Sequence, residues 1–280
     1  MANYTTKDIK ELRELTGAGM MDVKKALDEA NGDRDEAIKI IRLAGQKSLA
    51  KREDRSAAAG LVLAQIEDTD NGQVGVLVEV NSETDFVAKN EKFVAFAEEV
   101  LAAAVASKAS TLDELLAAKT ADGKTVKEAQ DAIAALVGEK IVVNRIARLE
   151  GEAVVEYLHY SNKDLPAQAG VLVACDKAAA EVAKDVAMHI AAYQPAYLDR
   201  TQVPEDVLAK ERETLEELTR AEGKPEKIVG KIVDGRLNAF YKEVCLVDQA
   251  FARDPSKSVG KVVSATGGKV TDFARFHVGA

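Results

Sequence analysis

The run Lys119-Thr120-Ala121-Asp122-Gly123-Lys124-Thr125 ends in the Gly-Lys-Thr of a phosphate-binding loop. In such a loop glycines let backbone N–H groups cradle phosphate, while the lysine and the hydroxyl serve the outer phosphates and magnesium. Ala118 stands where the first glycine belongs, and Leu112 to Ala117 reads as helix where the loop needs a strand. Gly260-Lys261 is a weaker match, because Val262 follows instead of a hydroxyl. The three histidines, His159, His189 and His277, have no second ligand at helical or zinc-knuckle spacing, and His189 beside Met188 reads as a core or interface residue. No serine occupies a Gly-x-Ser-x-Gly elbow. Cys175 and Cys245 lie in apolar runs without a partner at metal or redox spacing and read as free buried thiols of a reducing compartment. No catalytic set and no metal set emerges from these residues.

A different chemistry is legible in Asn81-Ser82-Glu83-Thr84-Asp85-Phe86-Val87-Ala88-Lys89, which follows the apolar run Val74 to Val80. It places a carboxylate and a large aromatic together where a strand gives way to a helix, a junction whose backbone usually lies at the surface. Two readings fit. Thr84 or Asp85 caps the helix and Phe86 tucks beneath its first turn as a core contact, or the pair is displayed as a probe for a partner. A second segment, Leu12 to Leu27, carries Gly17-Ala18-Gly19 as a tight corner between helices, with Met20-Met21 beside Lys24. Methionine there serves either as ordinary core or as an adaptable contact face.

The rest of the chain must position these segments. Hydrophobic residues make up 47% of the 280, but only 5% are aromatic and tryptophan is absent, so Ala, Val and Leu do most of the packing. The net charge of −9 argues against a general nucleic-acid binder, which needs a concentrated basic surface. Residues 1–55 carry 12 Lys/Arg against 11 Asp/Glu, so the excess acid lies beyond them. The N-terminal residues lack the apolar core of a signal peptide, and no run approaches the roughly 18 apolar residues of a membrane span. A soluble, cytoplasmic protein without membrane contact is expected.

Three short helices are predicted in residues 1–46. Thr5 or Thr6 caps the first, whose apolar face is Ile9, Leu12 and Leu15 and which Gly17 can end. Val23, Ala26, Leu27 and Ala30 face inward from the second, which stops at Asn31-Gly32. Asp33, with capping-box spacing to Glu36, opens a third that buries Ala37, Ile38, Ile41 and Ile40 before Gly45. Residues 47–59, mixed in charge, read as a helical tether. Strands Leu61 to Ile66 and Val74 to Val80 flank a hairpin turn at Asp70-Asn71-Gly72. A helix is expected from about Phe86 to Ala106, weaker helices at Thr111 to Ala118 and Val126 to Val137, and a strand at Ile141 to Ile146.

The same order then recurs. A strand opens at Gly151 and runs through His159, and Ala169-Gly170-Val171-Leu172-Val173 echoes Val74-Gly75-Val76-Leu77-Val78. The helix Val182 to Ala192 resembles Val94 to Ala104, and the helix-then-strand run Ile228 to Val247 resembles Ile133 to Leu149. From Pro204 to Phe240 the chain is highly charged, with narrow apolar stripes at Leu208, Leu215 and Leu218 and at Ile228, Val229, Ile232, Val233, Leu237 and Phe240. Gly223-Lys224-Pro225 can turn it back on itself as an antiparallel helical hairpin. The predicted fold is α+β: a three-helix domain (1–46), a linker (47–59), and two related α+β subdomains with small antiparallel sheets (60–148 and 149–280), the hairpin lying at about 202–240.

The motifs Leu12 to Leu27 and Asn81 to Lys89, in this order and followed by two α+β halves, closely resemble the bacterial elongation factor Ts family, guanine-nucleotide exchange factors for the GTPase elongation factor Tu. The resemblance runs from the three-helix domain, which is UBA-like, to Phe273-Ala274-Arg275-Phe276. It implies that Thr84, Asp85, Phe86 and Val87 wedge into the GTPase near its magnesium and phosphate site, with the aromatic prying between two helices. It implies further that Arg13, Met20, Met21 and Lys24 dock on the nucleotide domain, and that Val137 and Gly138 form another contact turn. His159 matches a contacting histidine of several members, although the loop Tyr160 to Gln168 that follows is longer and differs. Some members continue past the last strand with a helical segment that embraces the GTPase; this sequence stops at Ala280, so that contact is expected to be missing.

With that resemblance the displayed reading of Asp85 and Phe86 becomes the better one, and it is compatible with a Thr84 cap. The expected activity is exchange without a catalytic residue or cofactor of the chain's own, the magnesium and GDP belonging to the partner. The hairpin can pair with a second copy, hold the partner, or extend into solvent. A peptide-binding module built on the three-helix domain is the alternative, and a nucleotide hydrolase using Lys124 and Thr125 is a third.

Overall fold

The computed structural model describes residues 3–16, 18–50, 52 and 54–280. The chain begins with three helices, α1 (Thr6–Thr16), α2 (Met20–Glu29) and α3 (Arg34–Ala50). Thr5 and Asp8 cap α1 reciprocally: the Asp8 carboxylate accepts from the Thr5 N–H and hydroxyl, both at 2.7 Å, and the Asp8 N–H donates to Thr5 Oγ1 at 3.3 Å. Leu12, Val23, Ala26, Leu27 and Ala37 form the buried centre. Leu15, expected on that inner face, is instead 67% exposed and lines a cavity with Phe96, Ile133 and Leu136, away from the three-helix core. The stop expected at Gly17 lies outside the described residues, as do Lys51 and Glu53 of the tether. Gly45 does not end α3, which continues to Ala50 and packs on a later helix; that contact outweighs the cost of about 1 kcal/mol for glycine inside a helix.

Strands β1 (Ala59–Thr69) and β2 (Gly72–Ser82) form an antiparallel hairpin, with Thr69 opposite Gly72 so that Asp70-Asn71 is the turn. Next come α4 (Asp85–Ala88), α5 (Glu91–Ser107), α6 (Leu112–Ala117) and α7 (Val126–Val137), and β3 (Val142–Gly151) completes the sheet in the order β1-β2-β3. The single helix expected from Phe86 to Ala106 is therefore two. Asn90 breaks it by adopting extended backbone and accepting the Lys92 N–H at 3.0 Å as the cap of α5.

The second half repeats the plan with β4 (Ala153–His159), β5 (Ala169–Cys175) and α8 (Ala180–Tyr193). The hairpin helices α9 (Glu205–Ala221) and α10 (Glu226–Val244) follow, then β6 (Ala250–Phe251), β7 (Asp254–Ser258), α11 (Val259–Ser264) and β8 (Val270–His277). The sheet order is β4-β5-β8. The expected strand near Val247 is not one: Leu246–Asp248 is a turn of 3-10 helix, and the counterpart of β3 is β8. In the hairpin, Val229, Val233 and Leu237 pack on Leu208, Leu215 and Tyr241, while Leu218 and Ile228, near the turn, remain exposed.

Period-two alternation decides the layering. Val76, Val78 and Val80 of β2 point into the core under α5 with Phe93, Phe96 and Val100, and Val171, Val173 and Cys175 of β5 point into the core under α8 with Val186 and Ile190. The intervening Leu77, Leu172 and Ala174 meet between the sheets with Val62, Val154 and Phe276. Two glycines permit that approach. A Cβ on Gly75 would lie 2.7 Å from Val154, and one on Gly170 2.6 Å from Val62 and 2.8 Å from Leu77. Val62 is opposite Glu79, and Val154 opposite Ala174, each four residues past its glycine, so equivalent positions of the two halves meet as across a two-fold axis.

Candidate functional site

Residues 82–89 divide into anchors and displayed groups. The Thr84 side chain accepts the Val87 N–H at 3.4 Å, and so caps the four-residue helix α4, while the Ser82 hydroxyl donates to the Thr84 carbonyl at 2.9 Å. Ala88 is buried and Val87 packs half-buried against the first core. A short turn held on those positions must send Asp85 and Phe86 the other way. Both are exposed, Phe86 to 72%, with the Lys89 ammonium 5.0 Å from its ring centre. Capping and display are thus both realised, whereas Phe86 tucked beneath the helix is not.

Val137-Gly138, expected to be a contact turn, is brought beside this segment. Gly138 closes α7 in the left-handed region at φ 81°, where a side chain would be strained, and its N–H returns to the Ala134 carbonyl at 3.1 Å. Glu139, which follows, accepts the Thr84 N–H at 3.1 Å and the Thr84 hydroxyl at 2.7 Å. In return the Lys140 N–H donates to the Glu83 carboxylate at 2.6 Å. Arg55 also reaches both Glu83 oxygens, at 3.3 and 3.2 Å. Sequence reasoning did not single out Glu139, Glu83 or Arg55: no local pattern marks partners 55 and 57 residues apart.

Arg13, Met20, Met21 and Lys24 are exposed on the three-helix domain, Met20 to 55% and Met21 to 72%, while Val23, Ala26 and Leu27 turn to its core. The methionines are therefore displayed surface. His159 lies elsewhere, exposed at the end of β4 with its Nδ1 3.1 Å from the Tyr157 hydroxyl. It shares a cavity of about 480 Å³ with His189 and His277, on the second half. The Thr84 and Val137 segments are thus neighbours joined by hydrogen bonds, whereas His159 lines the cavity beside α8.

The Gly-Lys-Thr run is committed internally. The Lys124 ammonium pairs with Asp122, and that hydrogen bond, with others from the Thr120 hydroxyl and the Lys124 N–H, holds the Asp122 carboxyl down at about 2. Thr125 caps α7 in a capping box with Glu128. Neither group is presented as a phosphate cradle. Cys175 and Cys245 are buried and unpaired, and burial pushes both thiols up, Cys245 to about 11. Among the described residues no three metal-ligating side chains gather, and no helix is long and apolar enough to cross a membrane.

The chain matches the family model described as Elongation factor TS over residues 83–280. Elongation factor Ts of Beutenbergia cavernae is 61% identical over 282 residues and that of Kocuria rhizophila 57% over 281, each covering 100% of both chains. Elongation factor Ts of Acidothermus cellulolyticus is 50% identical over 279 residues, covering 100% of this chain and 99% of its own. The chain belongs to the elongation factor Ts family. The α+β fold with small antiparallel sheets is that family's. The relatives extend over the three-helix domain as well, so the elongation factor Ts match includes both the displayed methionines and the Asp85-Phe86 turn.

Proposed function

We propose that this chain is a guanine-nucleotide exchange factor that binds the translational GTPase elongation factor Tu and promotes GDP release by disturbing its magnesium and phosphate site, allowing GTP to reload during polypeptide elongation. Membership in the elongation factor Ts family supports nucleotide exchange on elongation factor Tu in general. The observation that carries the finer reading is Phe86, an aromatic 72% exposed beside an exposed carboxylate on a turn whose other residues are anchored. A ring held outward on an anchored turn is placed to enter an apolar gap in a partner, where its burial would contribute to binding.

In this reading Arg13, Met20, Met21 and Lys24 dock on the nucleotide domain, Thr84 to Val87 intrude, Val137 and Gly138 form a further contact turn, and His159 makes another contact. GDP is held mainly through its phosphates, their backbone cradle and the bridging magnesium, so displacement there weakens it steeply. Coupling is reciprocal: the factor by which the bound chain weakens GDP is the factor by which GDP weakens the chain. No bond is made or broken, so the chain needs neither a catalytic residue nor a cofactor. The reading assigns no direct contact with nucleic acid or membrane.

The test is release of labelled GDP from elongation factor Tu by trace amounts of the chain. Many turnovers per molecule are expected, with a rate loss of about tenfold or more in Asp85→Ala and Phe86→Ala, a change of roughly 1.4 kcal/mol or more in the barrier. Equal rates in both variants would remove the wedge assignment.

A further inference from the structure

Helix α4 has four residues, too few to hold its shape by its own hydrogen bonds. Something outside it must fix the direction in which Phe86 points. The candidates within hydrogen-bond reach are two carboxylates exchanged between chain segments. Glu139 holds Thr84 through two donors, the backbone N–H and the hydroxyl, while Glu83 holds the backbone N–H of Lys140. Each carboxylate satisfies a main-chain donor on the other segment, and hydrogen bonds to ionised acceptors are roughly twice as strong as neutral ones. Because the Thr84 hydroxyl both donates to Glu139 and accepts from the Val87 N–H, the Glu139 contact is transmitted directly to the cap of α4.

A third segment joins them. Arg55 donates to both Glu83 oxygens, and the Lys140 ammonium donates to the Arg55 carbonyl at 3.0 Å. Arg52 donates to the Ala134 carbonyl in the last turn of α7 at 3.1 Å. The tether leading from the three-helix domain is thereby tied to the base of the intruding turn.

We infer that Glu139 is a positioning residue for Phe86: its carboxylate, in a reciprocal clasp with Glu83, holds α4 rigid so that docking force is delivered to the partner instead of being lost in bending the turn. The inference rests on the exchange reading given above. It also makes a claim about the free protein that does not depend on that reading.

Two measurements on the full chain separate the two. In the free protein, Glu139→Ala should speed amide hydrogen exchange at residues 84–88 by about tenfold, with the amides of β1 and β2 unchanged and a melting temperature close to the parent's. In multiple-turnover GDP release, the same variant should lower the maximal rate by roughly tenfold while KM for the GTPase–GDP complex stays within about twofold, since the docking faces are untouched. Glu139→Gln, whose amide oxygen can still accept the Thr84 N–H while its NH₂ faces the Thr84 hydroxyl, should restore most of both. Unchanged amide exchange in Glu139→Ala overturns the clasp. Faster amide exchange with an unaltered maximal rate, while Phe86→Ala remains slow, overturns the positioning role and leaves the wedge reading standing. A raised KM at constant maximal rate means that Glu139 touches the partner directly, and also overturns it. If Asp85→Ala and Phe86→Ala both exchange at the parent's rate, the wedge reading falls and the positioning role with it, while the clasp in the free protein is decided by amide exchange alone.

Discussion

Glu79 of β2 stands directly opposite Arg145 of β3, and the guanidinium Nε donates to the fully buried carboxylate at 2.7 Å. The other carboxylate oxygen accepts from Asn81 and Asn144, at 3.0 and 3.3 Å. Arg145 also donates to the His277 carbonyl of β8 at 3.0 Å and lies 4.8 Å from the centre of the Phe276 ring, so one side chain ties both sheets together. Removing it leaves a buried charge without its counter-ion. Arg145→Met should destabilise by roughly 3 kcal/mol in urea titration, near the low end of the range for broken buried pairs because the arginine is about a third exposed. Glu79→Leu combined with Arg145→Met should recover most of that loss.

The glycines between the sheets give a second test. Gly170→Ala places a methyl 2.6 Å from Val62 and 2.8 Å from Leu77, so the halves must part. A loss of about 1–3 kcal/mol is expected from overpacking. Gly138→Ala meets nothing within 4 Å, and its cost should come only from the positive φ, about 1 kcal/mol. Paired denaturation curves distinguish a steric cause from a conformational one.

Phe86→Ala should leave stability nearly unchanged. The ring is 72% exposed and gives up a contact with Lys89 worth about 0.5–1 kcal/mol at an exposed site. A core phenylalanine would cost about 3–5 kcal/mol on the same substitution. The melting temperature therefore decides between a displayed ring and a packed one, independently of any exchange assay.

His189 predicts a pH dependence. Its Nδ1 accepts the Ala252 N–H at 3.2 Å, so Nε2 carries the proton and donates to Gln249 Oε1 at 2.9 Å. A second proton would oppose the Ala252 donor, and burial holds the imidazole below its ordinary 6.5. The unfolded chain then binds the proton more readily, so this residue's contribution is complete above pH 6.5 and declines as pH falls from there through the lower folded value. Asp185, Arg253, His159 and His277 line the same cavity, so the comparison must be internal. Between pH 7 and 5 the stability of His189→Gln should fall less steeply than that of the parent.

Much of this architecture was legible because β-strand chemistry is periodic. Val74 to Val80 and Ala169 to Val173 announced two strands, and the echo between them announced two related halves. The break at Asn90 was not legible, since Val87-Ala88 and Phe93-Val94 keep the apolar content of a single helix while only backbone geometry shows the new cap. The strand expected at the end of the run Ile228 to Val247 failed for a related reason. An apolar run after a helix fits a strand locally, but β5 accepts its second neighbour from β8, and that choice is made by the whole second core.

At the site the sequence by itself determined which residues are unusual: an aspartate and phenylalanine at a strand end, and methionines after a tight corner. It offered no motif with the spacing of a catalytic set. Only the tertiary structure decided that Phe86 turns outward and that Glu139 reaches Thr84. A carboxylate can take any backbone donor the fold brings near, so its partner is selected by how β2, α7 and the tether pack, and no spacing along the chain encodes it.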